Sequence, residues 1–249
     1  MRKIKIGLVI LSLTASIGLI STGLIFADSN PLQGKIIALD AGHGGGETGA
    51  VNQKYDVAEA DVNLSVVNAL KLKLEGQQAY VVVTERYSTR RDRVNDAVAK
   101  CAALDVTGDG VADNKKCDVL VSVHHNGSSD PNHDGTLTIY TQNSDKPLAK
   151  SLHDTLLLLT NKDEGMLNGG YGMTVYKNIV SAITEAYYIT NDCEAELYLY
   201  STGQLTDTSQ SCKDSGYQAV DRINQEADAQ VAGLSNYFSA PPQKPGNRK

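Results

Sequence analysis

The sequence predicts a single α/β domain built around a largely parallel sheet. Short apolar runs typical of buried strands alternate with stretches of helical spacing, and this alternation is typical of parallel sheets. The length of 249 residues and the apolar share of 41% are sufficient for one substantial core. No internal repeat and no second core-forming region interrupt this pattern, so we expect one folded domain over residues 35–239.

The first 27 residues are typical of an export signal. Arg2, Lys3 and Lys5 precede an apolar segment at 6–26, and Ala27 is a small residue suited to cleavage. The same segment is long enough to span a bilayer, so an uncleaved membrane anchor is the alternative. In either case we expect a short linker at 28–34 and a folded part that works outside the cytoplasm.

Signals for strands and helices follow in order along the chain. Residues 36–39, 80–84 and 119–123 predict buried strands, 136–140 an alternating strand, and 183–189 a strand rich in β-branched residues and Tyr. Helical spacing occurs at Val62, Val66, Ala69, Leu70 and Leu74, again at 148–159, and in a last helix at 220–237. Residues 240–249 are rich in Pro and basic residues, which predicts a disordered tail.

The net charge excludes one class of partner. It is −6 at pH 7 for the whole chain, and it becomes −9 without residues 1–27, which contain three bases and no acid. An acidic surface of this kind argues against nonspecific binding to nucleic acid.

The four cysteines agree with an oxidising compartment. Four cysteines allow three pairings, and we favour the nearest-neighbour bridges Cys101–Cys117 and Cys193–Cys212, each of which would staple a short segment. Four free thiols are the alternative. The chain has no C-x-x-C, which argues against a cysteine zinc site and against thioredoxin-like chemistry.

The first candidate functional residues surround the first predicted strand and helix. A Gly-rich turn, Asp40-Ala-Gly-His-Gly-Gly-Gly46, follows the strand directly, and sites in open α/β sheets gather at the carboxyl ends of strands. A lone His in a turn is nevertheless usually a surface residue. Glu59 precedes Val62 and Val66 by helical spacing, on the apolar stripe of its helix. It is either a buried acid that needs a metal or another partner, or a first-turn acid that favours the helix dipole.

Further candidates lie in two later strands. His124, His125 and Asn126 end the strand at 119–123, and because strand side chains alternate, only one of the two His can face a given site. Glu185 is an acid within an apolar run. Two His and two Glu together supply three metal ligands and a base, which is the composition of a catalytic zinc hydrolase site.

In sequence order, these stretches resemble the four motifs of the zinc-dependent N-acetylmuramoyl-L-alanine amidases of type 3. The matching stretches are Asp40-Ala-Gly-His-Gly-Gly, Glu59-Ala-Asp-Val-Asn-Leu64, Val121-Ser-Val-His-His-Asn126 and Ala182-Ile-Thr-Glu185, and the resemblance covers about residues 35–237. It implies a twisted, mostly parallel sheet of about six strands with helices on both faces. It also implies that His43, Glu59 and His124 bind Zn²⁺ and that Glu185 is the catalytic acid. The implied substrate is the amide between N-acetylmuramic acid and L-alanine in peptidoglycan.

The chain departs from this family at several positions. His125 stands where the family often has a small residue, so no ligand role is transferred to it, and Asn168-Gly-Gly170 replaces a common Arg-Gly pair. Residues 101–117 form an insert. Some members carry an inhibitory helix, but only about forty residues separate Tyr140 from Glu185, which leaves little room for one. We therefore expect a monomer that needs no obligatory activator.

The insert is a candidate calcium loop. Asp105, Asp109 and Asp113 surround Gly110 with a spacing that resembles the first part of an EF-hand loop, although a polar turn held by a disulfide fits equally well. Asp61 and Asn126 are expected to support the ligands or to contact substrate. Two other functions stay open at this point: a zinc carboxypeptidase or endopeptidase acting on the stem peptide, and a noncatalytic wall-binding module.

Overall fold

A computed structural model describes residues 30–87 and 89–241. The elements in chain order are β1 (Ile36–Ala41), β2 (Val51–Asn52), β3 (Val57–Ala58), α1 (Glu59–Gly76), β4 (Tyr80–Val83), α2 (Arg90–Ala102), β5 (Val119–Asn126), β6 (Thr136–Tyr140), α3 (Lys146–Thr160), β7 (Asp163–Asn168), α4 (Gly172–Val175), β8 (Ser181–Tyr188), α5 (Asp192–Ser201), α6 (Gln210–Asp214) and α7 (Arg222–Ser239). The predicted signal or anchor at 1–27 and residues 242–249 of the predicted tail lie outside the described residues. Within the described ranges, no helix has both the length and the apolar character needed to cross a membrane.

Six strands form one sheet in the order β4-β1-β5-β8-β6-β7, and β2 and β3 form a separate antiparallel pair. β4, β1, β5 and β8 run parallel, β6 runs antiparallel to β8, and β7 is parallel to β6. The prediction of a single α/β domain with a mostly parallel sheet of about six strands is confirmed. The carboxyl ends of β1, β5 and β8 lie side by side, because these neighbouring strands run in the same direction.

Helices cover both faces of the sheet, as expected. Val119, Val121 and Val123 of β5 belong to the larger core, which α1, α3 and α7 complete. Leu120 belongs to the smaller core on the other face, which α2 and α4 cover. The side chains of β5 alternate between the two cores because the period of a strand is two residues. Burial on both faces explains the continuous apolar runs of β1 and β5.

The predicted helices and strands correspond to observed elements with slightly different ends, and α1 begins at Glu59 as expected. The sequence prediction lacks β2, β3, β7, α2, α4, α5 and α6. α2 was not recognisable by hydropathy because its buried face includes Arg93 beside Val94, Ala97 and Cys101. β7 is an edge strand of sequence DEGMLN, so it has no apolar run.

Both expected disulfides are present. Cys101–Cys117 joins the last turn of α2 to the segment before β5, and it closes the insert at 101–117. Cys193–Cys212 joins α5 to α6. No cysteine is free, so the alternative of four free thiols is excluded.

The insert does not support the expected calcium site. The carboxylate of Asp105 accepts hydrogen bonds from the backbone N–H groups of residues 108, 109 and 110, and that of Asp113 accepts those of residues 106 and 107. Asp109 likewise accepts the N–H of Val111. The acids therefore satisfy the backbone of a tight turn, which requires the same residue types as a cation loop. In the described part of the chain, these acids do not form a group that could hold a metal.

Replacing Leu70 by Ala should lower the free energy of unfolding by about 2–5 kcal/mol, because truncation of a buried leucine leaves a cavity. Leu70 is fully buried in α1, whereas Leu72 on the same helix is 70% exposed. Leu72→Ala is the matched control, and we expect it to change the free energy by less than about 0.5 kcal/mol. Urea denaturation followed by circular dichroism measures both variants. Equal losses in the two variants would contradict the described orientation of α1.

Candidate active site

Three side chains that could bind a metal meet at the carboxyl ends of the central strands. His43 lies in the turn after β1, Glu59 is the first residue of α1, and His124 lies near the end of β5. One ligand atom from each residue lies within 4.8 Å of those of the other two. The topology therefore brings together the three residues that the sequence singled out as metal ligands.

Glu59 joins the two imidazoles. Its Oε2 lies 3.1 Å from Nε2 of His43, and its Oε1 lies 3.0 Å from Nδ1 of His124. Glu59 is only 4% exposed, and burial alone would raise its pKa. The hydrogen bonds to His124 and His43 outweigh burial and hold the pKa of Glu59 well below its ordinary value. The bond to Glu59 in turn raises the pKa of His43 against the opposing effect of burial.

The residues present fit a zinc ion. Two imidazoles and one carboxylate are a donor set found in catalytic zinc sites, where three protein ligands leave one position for water or substrate. Glu59 is ionised because its pKa is low, so the group carries the negative charge that a divalent cation requires. Both interpretations of Glu59 from the sequence are correct, because it is buried and also occupies the first turn of α1.

A buried ion pair holds the turn that presents His43. Arg93 Nη1 lies 3.2 Å from Oδ1 of Asp40 and donates to the carbonyl of Ala41. Arg93 and Arg86 both donate to the carbonyl of His43. His43 has a φ of 60°, a left-handed conformation that is uncommon for a residue other than glycine. The two guanidinium groups therefore stabilise a strained backbone at the residue that binds the candidate metal.

Two glycines allow the ligands to approach one another. A Cβ atom at Gly42 would lie 2.3 Å from the ring of His124. A Cβ atom at Gly49 would lie 2.4 Å from Oε2 of Glu59, and the φ of Gly49 is +67°. A side chain at either position would displace a ligand, so the glycines are required by close packing at the site.

Asn63 is a site residue that the sequence did not single out. Its Nδ2 donates to the carbonyl of Gly42 at 3.0 Å and to Oε1 of Glu59 at 3.3 Å. Its Oδ1 lies 2.7 Å from Nδ1 of His125, whose Nε2 lies 2.8 Å from Oε2 of Glu226 in α7. The sequence did contain a signal for this role, since Asn63 lies one helical turn after Glu59 on the buried face of α1.

His125 faces away from the metal ligands, so only one His of the pair faces the site, as expected. Its ring is fully buried against Tyr187, and Glu226 is also fully buried. The backbone N–H of His125 donates to Oε1 of Glu59. His125 and Asn63 thus connect Glu59 to α7, which lies across the core from the sheet.

Glu185 lies beside His124. The two residues are register partners in the parallel strands β5 and β8, so their side chains project from the same face of the sheet. Glu185 is half-buried, its Oε2 is inaccessible to solvent, and no described residue forms a hydrogen bond with that atom. Burial and the nearby negative charge of Glu59 raise the pKa of Glu185 well above its ordinary value. A carboxyl group of this kind can exchange a proton with a bound reactant.

The two residues expected to support the site do not contact the ligands. Asp61 is exposed in the first turn of α1. Oδ1 of Asn126 accepts the backbone N–H of Gly127. A role of either residue in substrate contact stays a prediction.

The entrance to the site is a small pocket beside the ligands. It is lined by Asp40, His43, Glu47, Arg90, Arg93, His124 and Met173. Glu47 Oε1 lies 3.4 Å from Nδ1 of His43. The short helix α4 contributes Met173, so the segment between β7 and β8 forms one wall of the entrance.

Comparison with known proteins agrees with this geometry. A protein-family model described as N-acetylmuramoyl-L-alanine amidase matches residues 37–210. The probable cell wall amidase LytH of Staphylococcus aureus is 29% identical over 168 residues, which cover 66% of this chain and 51% of that protein. The chain therefore spans about half the length of the curated relatives it matches.

Solved structures share the fold. An N-acetylmuramoyl-L-alanine amidase from Clostridium difficile 630 has a TM-score of 0.64 at 21% identity, and the match covers 84% of this chain and 100% of that one. The CwlD amidase from Clostridioides difficile, solved in complex with the GerS lipoprotein, has a TM-score of 0.57 at 23% identity and covers 82% of this chain and 98% of that one. At these identities the similarity establishes the architecture alone.

Replacing Asn63 by Ala should weaken zinc binding about 10- to 100-fold, because the amide orients a metal ligand. Competition with a chromophoric chelator measures the affinity. Asp61→Ala on the same helix is the control, since Asp61 is exposed and should leave the affinity unchanged. Thermal unfolding shows whether Asn63→Ala retains its fold. A folded Asn63→Ala variant that binds zinc as tightly as the control would contradict the orienting role.

Glu185→Gln should stabilise the metal-free protein at about pH 8, and the gain should shrink towards about pH 4. The pKa of Glu185 is raised in the folded state, so the wild-type protein loses stability as the pH rises from the unfolded pKa through the folded one. Glutamine does not ionise, so the variant does not lose stability in this way as the pH rises. Urea denaturation of both proteins with a chelator measures the difference. A difference that does not change with pH would show that Glu185 is not held protonated.

Proposed function

The chain belongs to the N-acetylmuramoyl-L-alanine amidase family, and we propose that it is a zinc-dependent peptidoglycan hydrolase. The proposed reaction is cleavage of the amide between the lactyl group of N-acetylmuramic acid and L-alanine. The observation that carries the proposal is the group of His43, Glu59 and His124 beside Glu185, whose Oε2 is buried; all four lie within the part of the chain that matches the family. A noncatalytic module would not require this costly arrangement of buried acids.

His43, Glu59 and His124 are the residues that would hold the metal. A bound Zn²⁺ supplies a Lewis acid that lowers the pKa of water towards ~7 and polarises a carbonyl group. Asn63 keeps Glu59 in place, and Arg86 and Arg93 hold the turn of His43. The ligands are thus positioned before substrate arrives, which limits the reorganisation needed during reaction.

Glu185 is the proposed proton carrier. Its Oε2 accepts the proton of the attacking water as the bond from water oxygen to the amide carbon forms. The same carboxyl then donates that proton to the nitrogen of L-alanine as the bond between carbon and nitrogen breaks. The raised pKa of Glu185 suits the second role, because a carboxyl with an ordinary pKa would be a poor acid near neutral pH.

The site of action is inferred to be extracytoplasmic. Two disulfides indicate an oxidising compartment, and the matched relative LytH is described as a cell wall amidase. Cleavage of the signal at 1–27 stays a prediction. The CwlD structure contains a lipoprotein partner, whereas we expect this chain to act as a monomer without an activator.

Purified residues 28–249, loaded with zinc, should release new L-alanine amino termini from isolated peptidoglycan. A chelator should abolish the release, and Glu185→Ala should reduce it by at least about 100-fold, the usual scale of general acid–base catalysis. Leu72→Ala, at an exposed position of α1, is the control and should remain active. Amino-group labelling followed by mass spectrometry identifies the bond that is cut.

Other products would overturn the proposal in recognisable ways. Release of D-alanine or cleavage within the stem peptide would assign the chain to the zinc peptidases. Zinc-loaded protein that binds peptidoglycan and cuts no bond would support a wall-binding role. Activity that appears only after a partner protein is added would contradict the expected independence from an activator.

A further inference from the structure

Arg90 lies at the entrance of the candidate active site. It is the first residue of α2, it is exposed, and it lines the same pocket as His43 and His124. Met173 of α4 lies on the same wall of the pocket. The side chain of Arg90 therefore lies in the same pocket wall as two of the candidate metal ligands.

Among the arginines near the pocket, Arg90 is the one whose guanidinium has no partner among the described residues. Arg93 binds Asp40 and three carbonyl oxygens, and Arg86 binds the carbonyls of residues 42, 43 and 60. Arg91 lies over the ring of Tyr176 at 5.3 Å. In the described ranges, no hydrogen-bond acceptor and no carboxylate pairs with Arg90.

The aliphatic part of the Arg90 side chain is packed in place, although its guanidinium has no partner among the described residues. Its Cβ, Cγ and Cδ atoms pack so closely on the backbone of Gly172 that a Cβ atom at Gly172 would lie 2.6 Å from Cδ of Arg90. α2 and α4 are in contact throughout this region. An arginine whose stem is fixed loses little side-chain entropy when its guanidinium binds a ligand.

The surroundings of the pocket are acidic, so a cation without a partner matters for the binding of an anionic substrate. Asp40 and Glu47 line the pocket, and Glu59 is grouped with His43 and His124, which also line it. The chain as a whole is acidic, with a net charge of −6. An anionic substrate would be repelled by these acids unless a cation at the entrance compensated for them.

We propose that Arg90 binds a free carboxylate of the stem peptide next to the scissile amide and thereby sets the specificity of the enzyme. This inference rests on the proposed function. In peptidoglycan, the residue after L-alanine is D-glutamate linked through its γ-carboxyl, so its α-carboxyl is either free or amidated. Guanidinium and carboxylate form charge-assisted, bidentate hydrogen bonds, and an amide cannot replace the carboxylate in this pairing.

The test uses two soluble muramyl tripeptides that differ only at this α-carboxyl, which is free in one and amidated in the other. The zinc-loaded wild type should cleave the free acid with the higher kcat/KM. Arg90→Gln should lower kcat/KM for the free acid about 10-fold or more, the effect of losing a hydrogen bond to a charged group, and should leave the amide almost unaffected. Arg90→Lys should retain part of the preference. Arg91→Gln is the matched control on the same helix turn and should retain all of it.

Binding of the same two peptides to the Glu185→Gln protein separates this inference from the proposed function. Titration calorimetry should show tighter binding of the free acid, and Arg90→Gln in that background should remove the difference. Preference in binding without turnover by the wild type would reject the proposed reaction and retain the carboxylate subsite. Equal binding of the two peptides, or equal losses for both in Arg90→Gln, would overturn the subsite and leave the amidase reaction standing.

Discussion

The buried ion pair between Asp40 and Arg93 connects the sheet to the candidate active site. Asp40 is a buried residue near the end of β1, and its carboxylate also accepts hydrogen bonds from Thr84 after β4 and Ser122 of β5. Arg93 extends from α2 to the carbonyl of His43. Three strands, one helix and the turn of a metal ligand therefore share one carboxylate. Removal of one partner from such a buried pair costs about 3–5 kcal/mol, because the other charge is left without compensation.

The site contains two glutamates whose pKa values are shifted in opposite directions. Glu59 receives hydrogen bonds from both imidazoles, from Asn63 and from backbone N–H groups, which lower its pKa. No described residue compensates Glu185 in this way, and the charge of Glu59 raises the pKa of Glu185 further. The same residue type is thus suited to bind a metal in one position and to carry a proton in the other. The difference arises from the number of donors that each carboxylate meets.

Much of the fold could be predicted because the central strands are buried on both faces. The apolar runs of β1, β5 and β8 indicate their positions, and the polar residues at their ends are brought together by parallel pairing. α2 escaped prediction because Arg93 on its buried face is compensated by Asp40, a contact between distant parts of the sequence. Asn63 was not recognised for a similar reason, because its contacts with Gly42 and His125 also join distant parts of the sequence. The sequence could not decide between a calcium loop and a polar turn, because acids that bind backbone N–H groups and acids that bind a cation have the same spacing.

The order of strands in the sheet has a consequence for how the molecule matures. β8 follows β6 and β7 in the chain, yet it inserts between β5 and β6. During synthesis, the pairing of Glu185 with His124 therefore cannot form until β8 has emerged. The contact between His125 and Glu226 likewise cannot form until α7 has been synthesised. A chain that ends before β8 therefore lacks part of the candidate site, and the site is complete only after β8 has joined the sheet.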